Sequence, residues 1–363
     1  MKHNYCIIMA GGIGSRFWPM SKTDHPKQFI DILGTGTTLI QQTFSRFVDV
    51  CPVSNIYIVT NTMYKNMVKA QLPELKDEQI LCEPARRNTA PCIAYAAHKI
   101  YEKDKEANLV VAPSDHVILK EDIFKNNIQT ALDAAEKNDW LITLGIKPSR
   151  PDTGYGYIQF HEGPLEGRKD DGMRKVRTFT EKPDLEMAKT FLESGDFLWN
   201  SGIFIWSLSS ILSALDQHLP EVNNLFREGH DKYFTPAEDE FIKKTYSVCK
   251  SISIDYGIME KAENVYVLPS DFGWSDLGTW GSLHDIRSKD EDNNAITGKN
   301  VMTYSTSNSI INMPKEKLAV IQGLDDFIVV EDEDILLICR KEEEQQIKQI
   351  VNDVRIQKGE KFV

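Results

Sequence analysis

Cysteine is scarce and unpatterned in this 363-residue chain: the six residues Cys6, Cys51, Cys82, Cys92, Cys249 and Cys339 form no C-x-x-C pair. A chain of this length buries enough surface to hold a core without disulfides. Buried free thiols in a reducing cytoplasm are therefore expected. Positive charge is also in short supply, with 42 Lys and Arg against 54 Asp and Glu and a net charge of −12. That balance argues against sequence-independent nucleic-acid binding, which draws on counterion release by basic residues, although a local basic patch can still hold a phosphate. No run approaches the roughly 18 apolar residues of a membrane span. The apolar run near the N-terminus, Tyr5–Ala10, is too short for a signal-peptide core and is followed by glycines. The chain is thus expected to be cytoplasmic, with neither nucleic acid nor membrane as partner. Heptads, low-complexity tracts and repeats of 20–50 residues are missing as well.

Short β-branched runs alternate with longer amphipathic ones. Strands are expected at Tyr5–Ala10, Asn55–Thr60, Gln79–Cys82, Asn108–Ala112 and Trp140–Ile146, with helices over about 89–103, capped by Asn88, and 122–137. This rhythm indicates an α/β fold, a Rossmann-like, mostly parallel sheet with helices on both faces. It changes near Pro148. Strands at Tyr155–Phe160 and Arg174–Thr180 flank a charged turn over 161–172, and helices are expected at 237–246, 254–261 and 277–286. From Ala295 to Cys339 short β runs follow one another with no room for helices between them, and a last helix is expected over 341–354. The resulting division is a domain over 1–290 and a β appendage with a terminal helix over 291–363.

The loop after the first strand, GGIGSRFWPMSKTDHPKQF from Gly11 to Phe29, is the richest segment. Glycines leaving a buried strand let backbone N–H groups approach phosphate oxygens. The phosphate-loop motif G-x-x-x-x-G-K-[ST] fails, since no Gly-Lys-Ser/Thr occurs there. The dinucleotide fingerprint G-x-G-x-x-G fits Gly12 and Gly14 but meets Phe17 at its third glycine, which disfavours a nicotinamide oxidoreductase. Arg16 and Lys27 lie in the same loop, where a guanidinium and an ammonium can clamp a polyphosphate.

Other candidates are ambiguous taken singly. Asn88 and Thr89 in EPARRNTAP can read a base edge or merely cap a helix. Asp115, after a strand and Ser114, stands where open α/β sheets bind ligands, or caps a helix. His116 has no second histidine at ligand spacing and reads as a spectator. Gly156 in TGYGYI can offer an amide to a sugar hydroxyl or simply make a turn. Glu181 and Lys182 pair a carboxylate for hydroxyls with a cation for a phosphate, or form an exposed ion pair. Asn200 in WNSGIF is placed before a strand, and Asp276 in GWSDLGTW near a helix start.

The spacing Gly-Gly-x-Gly-x-Arg-x-x-Pro-x6-Pro-Lys resembles the signature of sugar-1-phosphate nucleotidyltransferases. GGIGSRFWPMSK, PKQF, EPARRNTAP, APSDH, TGYGYI, FTEKP, WNSGIF, SIDYGIMEK and GWSDLGTW, collinear over about 1–290, resemble the mannose-1-phosphate guanylyltransferase branch. The resemblance implies transfer of GMP from GTP to α-D-mannose 1-phosphate, giving GDP-mannose and pyrophosphate. It implies nucleotide binding by Gly11, Gly12, Gly14, Ser15, Arg16, Glu83, Pro84, Asn88, Thr89 and Ser114. Gly156, Glu181, Lys182 and Asn200 would hold the sugar phosphate, and Arg16, Lys27, Asp115 and Asp276 would be catalytic, with Mg²⁺ on Asp115 and Asp276. Long members carry an isomerase domain after the transferase, and a short form without it is expected here. The appendage resembles a truncated left-handed β-helix used in subunit contacts, which implies a homodimer. It is expected to supply no catalytic group. Replacing Asp115 or Asp276 by Asn is expected to lower turnover at least about a hundredfold, with little effect on thermal stability because no buried ion pair is expected to depend on either.

Overall fold

A computed structural model of the chain describes residues 2–165 and 170–363. Of the expected turn over 161–172, residues 166–169 lie outside the described residues. The chain clusters into two compact units, each assembled from separated segments. The first takes residues up to Gly11, Thr43–Ser114 and Ile118–Trp274; the second takes Gly12–Gln42, Asp115–Val117 and Ser275–Val363. The stretch read as one domain over 1–290 is therefore distributed over both units.

Among the described residues the first unit holds a nine-stranded sheet. Its strands are β1 (Asn4–Ala10), β2 (Ile56–Asn61), β3 (Ile80–Glu83), β4 (Asn108–Pro113), β5 (Leu141–Ile146), β6 (Gly156–Phe160), β7 (Arg174–Glu181), β8 (Phe197–Ser207) and β9 (Val265–Ser270). The order is β3-β2-β1-β4-β8-β5-β9-β7-β6. The run β3-β2-β1-β4 is parallel, as is β5 beside β9. The strands beyond Pro148 bring antiparallel pairs: β8 on β4, β5 and β6, and β7 on β6 and β9. Tyr5, Cys6, Ile7 and Ile8 alternate across β1 and all four are buried, so both faces of the sheet are covered. The helix Thr89–Tyr101 packs Ala90, Ile93, Ala97 and Ile100 into a core shared with Tyr5, Ile7 and Tyr57. Small side chains let that helix lie close to the strands. The parallel strands direct their carboxyl ends, Glu83 of β3 and Pro113 of β4, to the edge where such sheets bind ligands.

The second unit carries β10 (Ala295–Thr297), β11 (Asn300–Tyr304), β12 (Ile310–Asn312), β13 (Leu318–Gln322), β14 (Phe327–Asp332) and β15 (Ile335–Arg340). The pairs β10–β12, β12–β14 and β11–β13 are parallel, so successive stretches stack as coils. β15 turns back antiparallel on β14. Ile310 and Ile328 point into a core that also contains Phe17, Trp18, Leu277, Trp280, Ile347 and Val351. Apolar residues near both ends of the chain thus share one interior. The expected last helix resolves into a 3₁₀ segment, Lys341–Gln346, and an α-helix, Ile347–Lys358. Among the described residues no helix is long and apolar enough to cross a membrane.

Candidate active site

The second unit holds the glycine-rich loop from Gly12 onward. Gly14 has φ 73, in the left-handed region, and a Cβ there would lie 2.4 Å from the Cβ of Lys27. Only glycine satisfies both constraints. The loop then makes one 3₁₀ turn, Ser15–Phe17, closed by Phe17 N–H on the Gly14 carbonyl at 2.9 Å. Lys27 N–H returns to the Ile13 carbonyl at 3.0 Å, and Gln28 Nε2 donates to the Gly12 carbonyl at 3.0 Å. The expected proximity of the arginine and lysine arms follows from this closure.

Arg16, Lys27, Asp115 and Asp276 line one cavity of about 280 Å³, together with Gly14, Ser15 and Lys348. Arg16 Nη1 donates to the Gly278 carbonyl at 3.4 Å, and its Nε is buried with no hydrogen-bond partner among the described residues. An unsatisfied buried N–H is costly, and on a guanidinium it is an anion receptor. Lys27 is 3% exposed. Its ammonium donates to Asp115 Oδ2 at 2.8 Å, the Asp276 carbonyl at 2.8 Å and the Leu277 carbonyl at 2.9 Å. All three of its protons are directed at protein oxygens.

Neither aspartate caps a helix. The helix Glu121–Lys137 has Lys120 at its N-cap, and the helix Trp280–Ile286 is capped by Thr279, whose Oγ1 accepts from Ser282 N–H at 3.2 Å. Leu277, expected inside that second helix, has φ 45 and belongs to the loop. Burial raises the Asp115 carboxyl's pKa, but Lys27 and His116 beside it outweigh burial and hold it below the usual carboxylate range. The expectation that no ion pair depends on Asp115 is corrected by its contact with Lys27.

The first unit carries the remaining predicted residues in two groups. In one, Glu83 is buried at the end of β3, accepts from Tyr246 Oη at 2.9 Å, and lies with Oε2 3.4 Å from where a Gly11 Cβ would stand. Burial pushes its pKa up to about 7, against the lowering pull of Tyr246 and Arg86. Asn88 does cap the following helix, accepting from Thr89 N–H at 2.9 Å, and its φ of 68 is a strained value for a residue with a side chain. Thr89 Oγ1 accepts from Ile254 N–H at 2.8 Å. Pro84 is exposed, and Ser114 is buried with its N–H on the Met9 carbonyl.

The other group surrounds Gly156, the first residue of β6. It faces Glu181 across the β6–β7 pair, and a Cβ on it would lie 2.5 Å from Glu181 Oε2. Glu181 Oε1 accepts from Lys182 Nζ at 2.7 Å, and Lys182 has the left-handed φ of 47. Asn200 sits inside β8 rather than before a strand. Its Oδ1 accepts from Thr143 Oγ1 at 2.9 Å and Gly202 N–H at 3.1 Å, which fixes the amide, and its Nδ2 donates to Asp255 Oδ1 at 2.9 Å. Asp255 opens a π-helical turn, Asp255–Met259, where a helix was expected. Burial first, then the Glu181 charge, pushes its pKa up to about 7.

Sequence reasoning missed Asp255, Thr143, Tyr246 and Lys348. Asp255 lies in SIDYGIMEK, a segment singled out for its resemblance, yet nothing local tells its partner. Lys348 carries no motif at all.

A cavity lined by a glycine-rich turn, a guanidinium-bearing side chain and two carboxylate residues suits phosphoryl chemistry. Comparison with known proteins agrees. Residues 5–293 match the nucleotidyl transferase family, and residues 299–354 match the MannoseP isomerase/GMP-like beta-helix domain. Mannose-1-phosphate guanylyltransferase 2 of Escherichia coli O157:H7 is 35% identical over 98% of this chain and 74% of its own length. The alginate biosynthesis protein AlgA of Pseudomonas aeruginosa is 35% identical over 97% of this chain and 72% of its own. A Thermus thermophilus structure described as mannose-1-phosphate geranyltransferase superimposes with a TM-score of 0.85 at 27% identity, covering 97% of this chain and 99% of that one. The chain belongs to the nucleotidyltransferase family, among the relatives of the mannose-1-phosphate guanylyltransferases.

Proposed function

We propose that the chain transfers GMP from GTP to α-D-mannose 1-phosphate, releasing pyrophosphate. The observation that carries this reading is the cavity in which the half-buried Arg16, whose Nε is buried with no hydrogen-bond partner among the described residues, accompanies Asp115 and Asp276. A phosphate oxygen of the sugar phosphate attacks the α-phosphorus of GTP in line, and the bond to the leaving pyrophosphate breaks. The attacking phosphate is already ionised near neutral pH, so positioning and charge neutralisation carry the catalysis. Loop amides and Arg16 receive the leaving phosphates. Lys27 holds the Asp115 and Asp276 segments in place, and reaches phosphate by exchanging one protein oxygen for it. Glu83, when ionised, accepts the N1–H and N2–H donors of guanine, an edge that adenine lacks. Asn200, Glu181 and the Gly156 amide hold sugar hydroxyls, and Lys182 the sugar's phosphate.

The hard carboxylate oxygens of Asp115 and Asp276 in one cavity suit Mg²⁺. When bound there, the ion would neutralise charge on the reacting phosphates. Met302, Tyr304, Leu318 and Val320 are exposed on β11 and β13, which supports a homodimer through the appendage. Cys6, Cys51, Cys92 and Cys249 are buried free thiols, in keeping with a cytoplasmic enzyme.

The test is a matrix of nucleoside triphosphates against sugar 1-phosphates, with and without Mg²⁺. Preferred turnover of GTP with mannose 1-phosphate is expected. Equal or better turnover with UTP, dTTP or ATP overturns the assignment, and nucleotide-sugar binding without turnover indicates a sensor.

A further inference from the structure

The helix Ile347–Lys358 lies against the glycine-rich loop. Ile347 and Val351, one turn apart, pack into the core that holds Phe17, Leu277 and Trp280. Just before the helix, Glu344 Oε2 accepts from Gly281 N–H at 2.8 Å. Just after it, the Phe362 carbonyl accepts from Trp18 Nε1 at 2.7 Å. The helix is therefore fastened at both ends to residues that flank the loop and the Asp276 segment. Lys348 lies between these fastenings, beside Ile347, and lines the same cavity as Arg16, Lys27, Asp115 and Asp276.

Charge gives Lys348 a use. A nucleoside triphosphate is a polyanion, and two carboxylates in the cavity oppose its entry. Lys27 offsets Asp115 directly, and its remaining protons go to main-chain oxygens. Of the loop's other cations, Arg16 lines the cavity, whereas Lys22 pairs with Glu333 and Asp332. We propose that Lys348 binds the β- and γ-phosphates of the nucleotide, which makes the C-terminal helix part of the active site. The proposal rests on the nucleotidyl-transfer reading and deepens it. It departs from the expectation that the segment beyond residue 295 supplies no group to the reaction. An ammonium on a flexible four-carbon stem is well suited to such binding, because it is a point charge that follows a polyphosphate as it enters and leaves.

The experiment uses the full chain with Lys348→Met, which keeps the stem and removes the charge, and Lys348→Arg, which keeps the charge. Inorganic tripolyphosphate binding is measured by calorimetry, and KM is measured for GTP, for mannose 1-phosphate and, in reverse, for pyrophosphate. Lys348→Met is expected to weaken tripolyphosphate binding and raise KM for GTP and pyrophosphate about tenfold, or ~1.4 kcal/mol. KM for mannose 1-phosphate stays within about twofold, and Lys348→Arg recovers most of the loss. Unchanged tripolyphosphate binding in Lys348→Met overturns the proposal. So does a general loss, with both substrates affected and the melting temperature lowered, which marks a packing role. If tripolyphosphate binding depends on Lys348 but the wild type turns over no GTP, the functional reading fails and the phosphate site stands.

Discussion

Lys27 Nζ lies 2.8 Å from Asp115 Oδ2 and 2.8 Å from the main-chain oxygen of Asp276, so one ammonium ties together two aspartate-bearing segments far apart in sequence. The two aspartates are held differently. Asp115 is bound through its carboxylate, Asp276 through its backbone.

That difference separates the two Asn variants. Asp115→Asn removes the charge facing a buried lysine and is expected to cost about 1–3 kcal/mol of stability as well as activity. In Asp276→Asn the side-chain oxygen can still accept from Gly278 N–H, as Asp276 Oδ1 does at 3.0 Å, and the Lys27 contact is main-chain. Its melting temperature should stay near the wild type's while turnover falls at least about a hundredfold, roughly 2.7 kcal/mol of transition-state stabilisation. Thermal melts and kcat on both variants check this. Near-normal Mg²⁺-dependent turnover in both would remove the metal assignment.

If Glu83 reads the guanine edge as proposed, stability and nucleotide binding should depend on pH in opposite directions. Its pKa in the fold is raised to about 7 from an ordinary 4.5, so folding favours its protonated form. The stability it contributes is complete below pH 4.5 and is lost as pH rises through about 7. Glu83→Gln, which keeps an acceptor for Tyr246, should melt above the wild type at pH 8 and close to it at pH 4.5. The wild type's GTP affinity should improve from pH 6 to pH 8 as the carboxylate ionises, and the Gln variant should lose that improvement. A pH-independent GTP affinity in the wild type would count against base recognition by Glu83.

Asp255 Oδ1 accepts from Asn200 Nδ2, so its loss should act on the proposed sugar site through Asn200. Removing its acceptor in Asp255→Ala frees the Asn200 amide to turn, and KM for mannose 1-phosphate should rise about tenfold, ~1.4 kcal/mol, with KM for GTP unchanged. Asp255→Asn retains an acceptor for Asn200 Nδ2 and should recover most of the loss. Equal KM values for Ala and Asn variants would show that the charge, not the orientation, matters.

Two glycines of the loop should respond differently to alanine. Gly14→Ala meets both a left-handed φ and a 2.4 Å approach to Lys27, and is expected to destabilise the chain by about 1–3 kcal/mol. A Cβ at Gly12 has nothing within 4 Å, so Gly12→Ala should fold normally. Any loss there would appear in KM for GTP, where a methyl crowds the approaching phosphates. Chemical denaturation and GTP kinetics on the pair check both statements.

The strands of the parallel half were legible because each is a short β-branched run between polar turns. Asn200 was misplaced because Trp199-Asn200-Ser201-Gly202 looks like a turn, and Gly202 does have φ 70, yet pairing with β4, β5 and β6 carries the strand through it. The capping readings of Asp115 and Asp276 failed locally: Lys120 and Thr279 hold the cap positions, so the helices start later than a lone Asp suggests. Asp255 escaped notice because its partners, Asn200 and Glu181, come from other strands. Lys348 was invisible because only the packing of Ile347 and Val351 against the loop's core gives it a place.

The second compact unit joins Gly12–Gln42 to Ser275–Val363. During synthesis the glycine loop leaves the ribosome about 330 residues ahead of the helix that packs on it. At about 5–20 residues per second, the loop waits on the order of twenty seconds to a minute for its partner. Phe17, Trp18 and Ile32, buried in the finished molecule, stay uncovered by that partner throughout. Apolar surface left waiting in this way is where a nascent chain is most open to aggregation or chaperone capture, so a late-made segment governs how safely one made long before it folds.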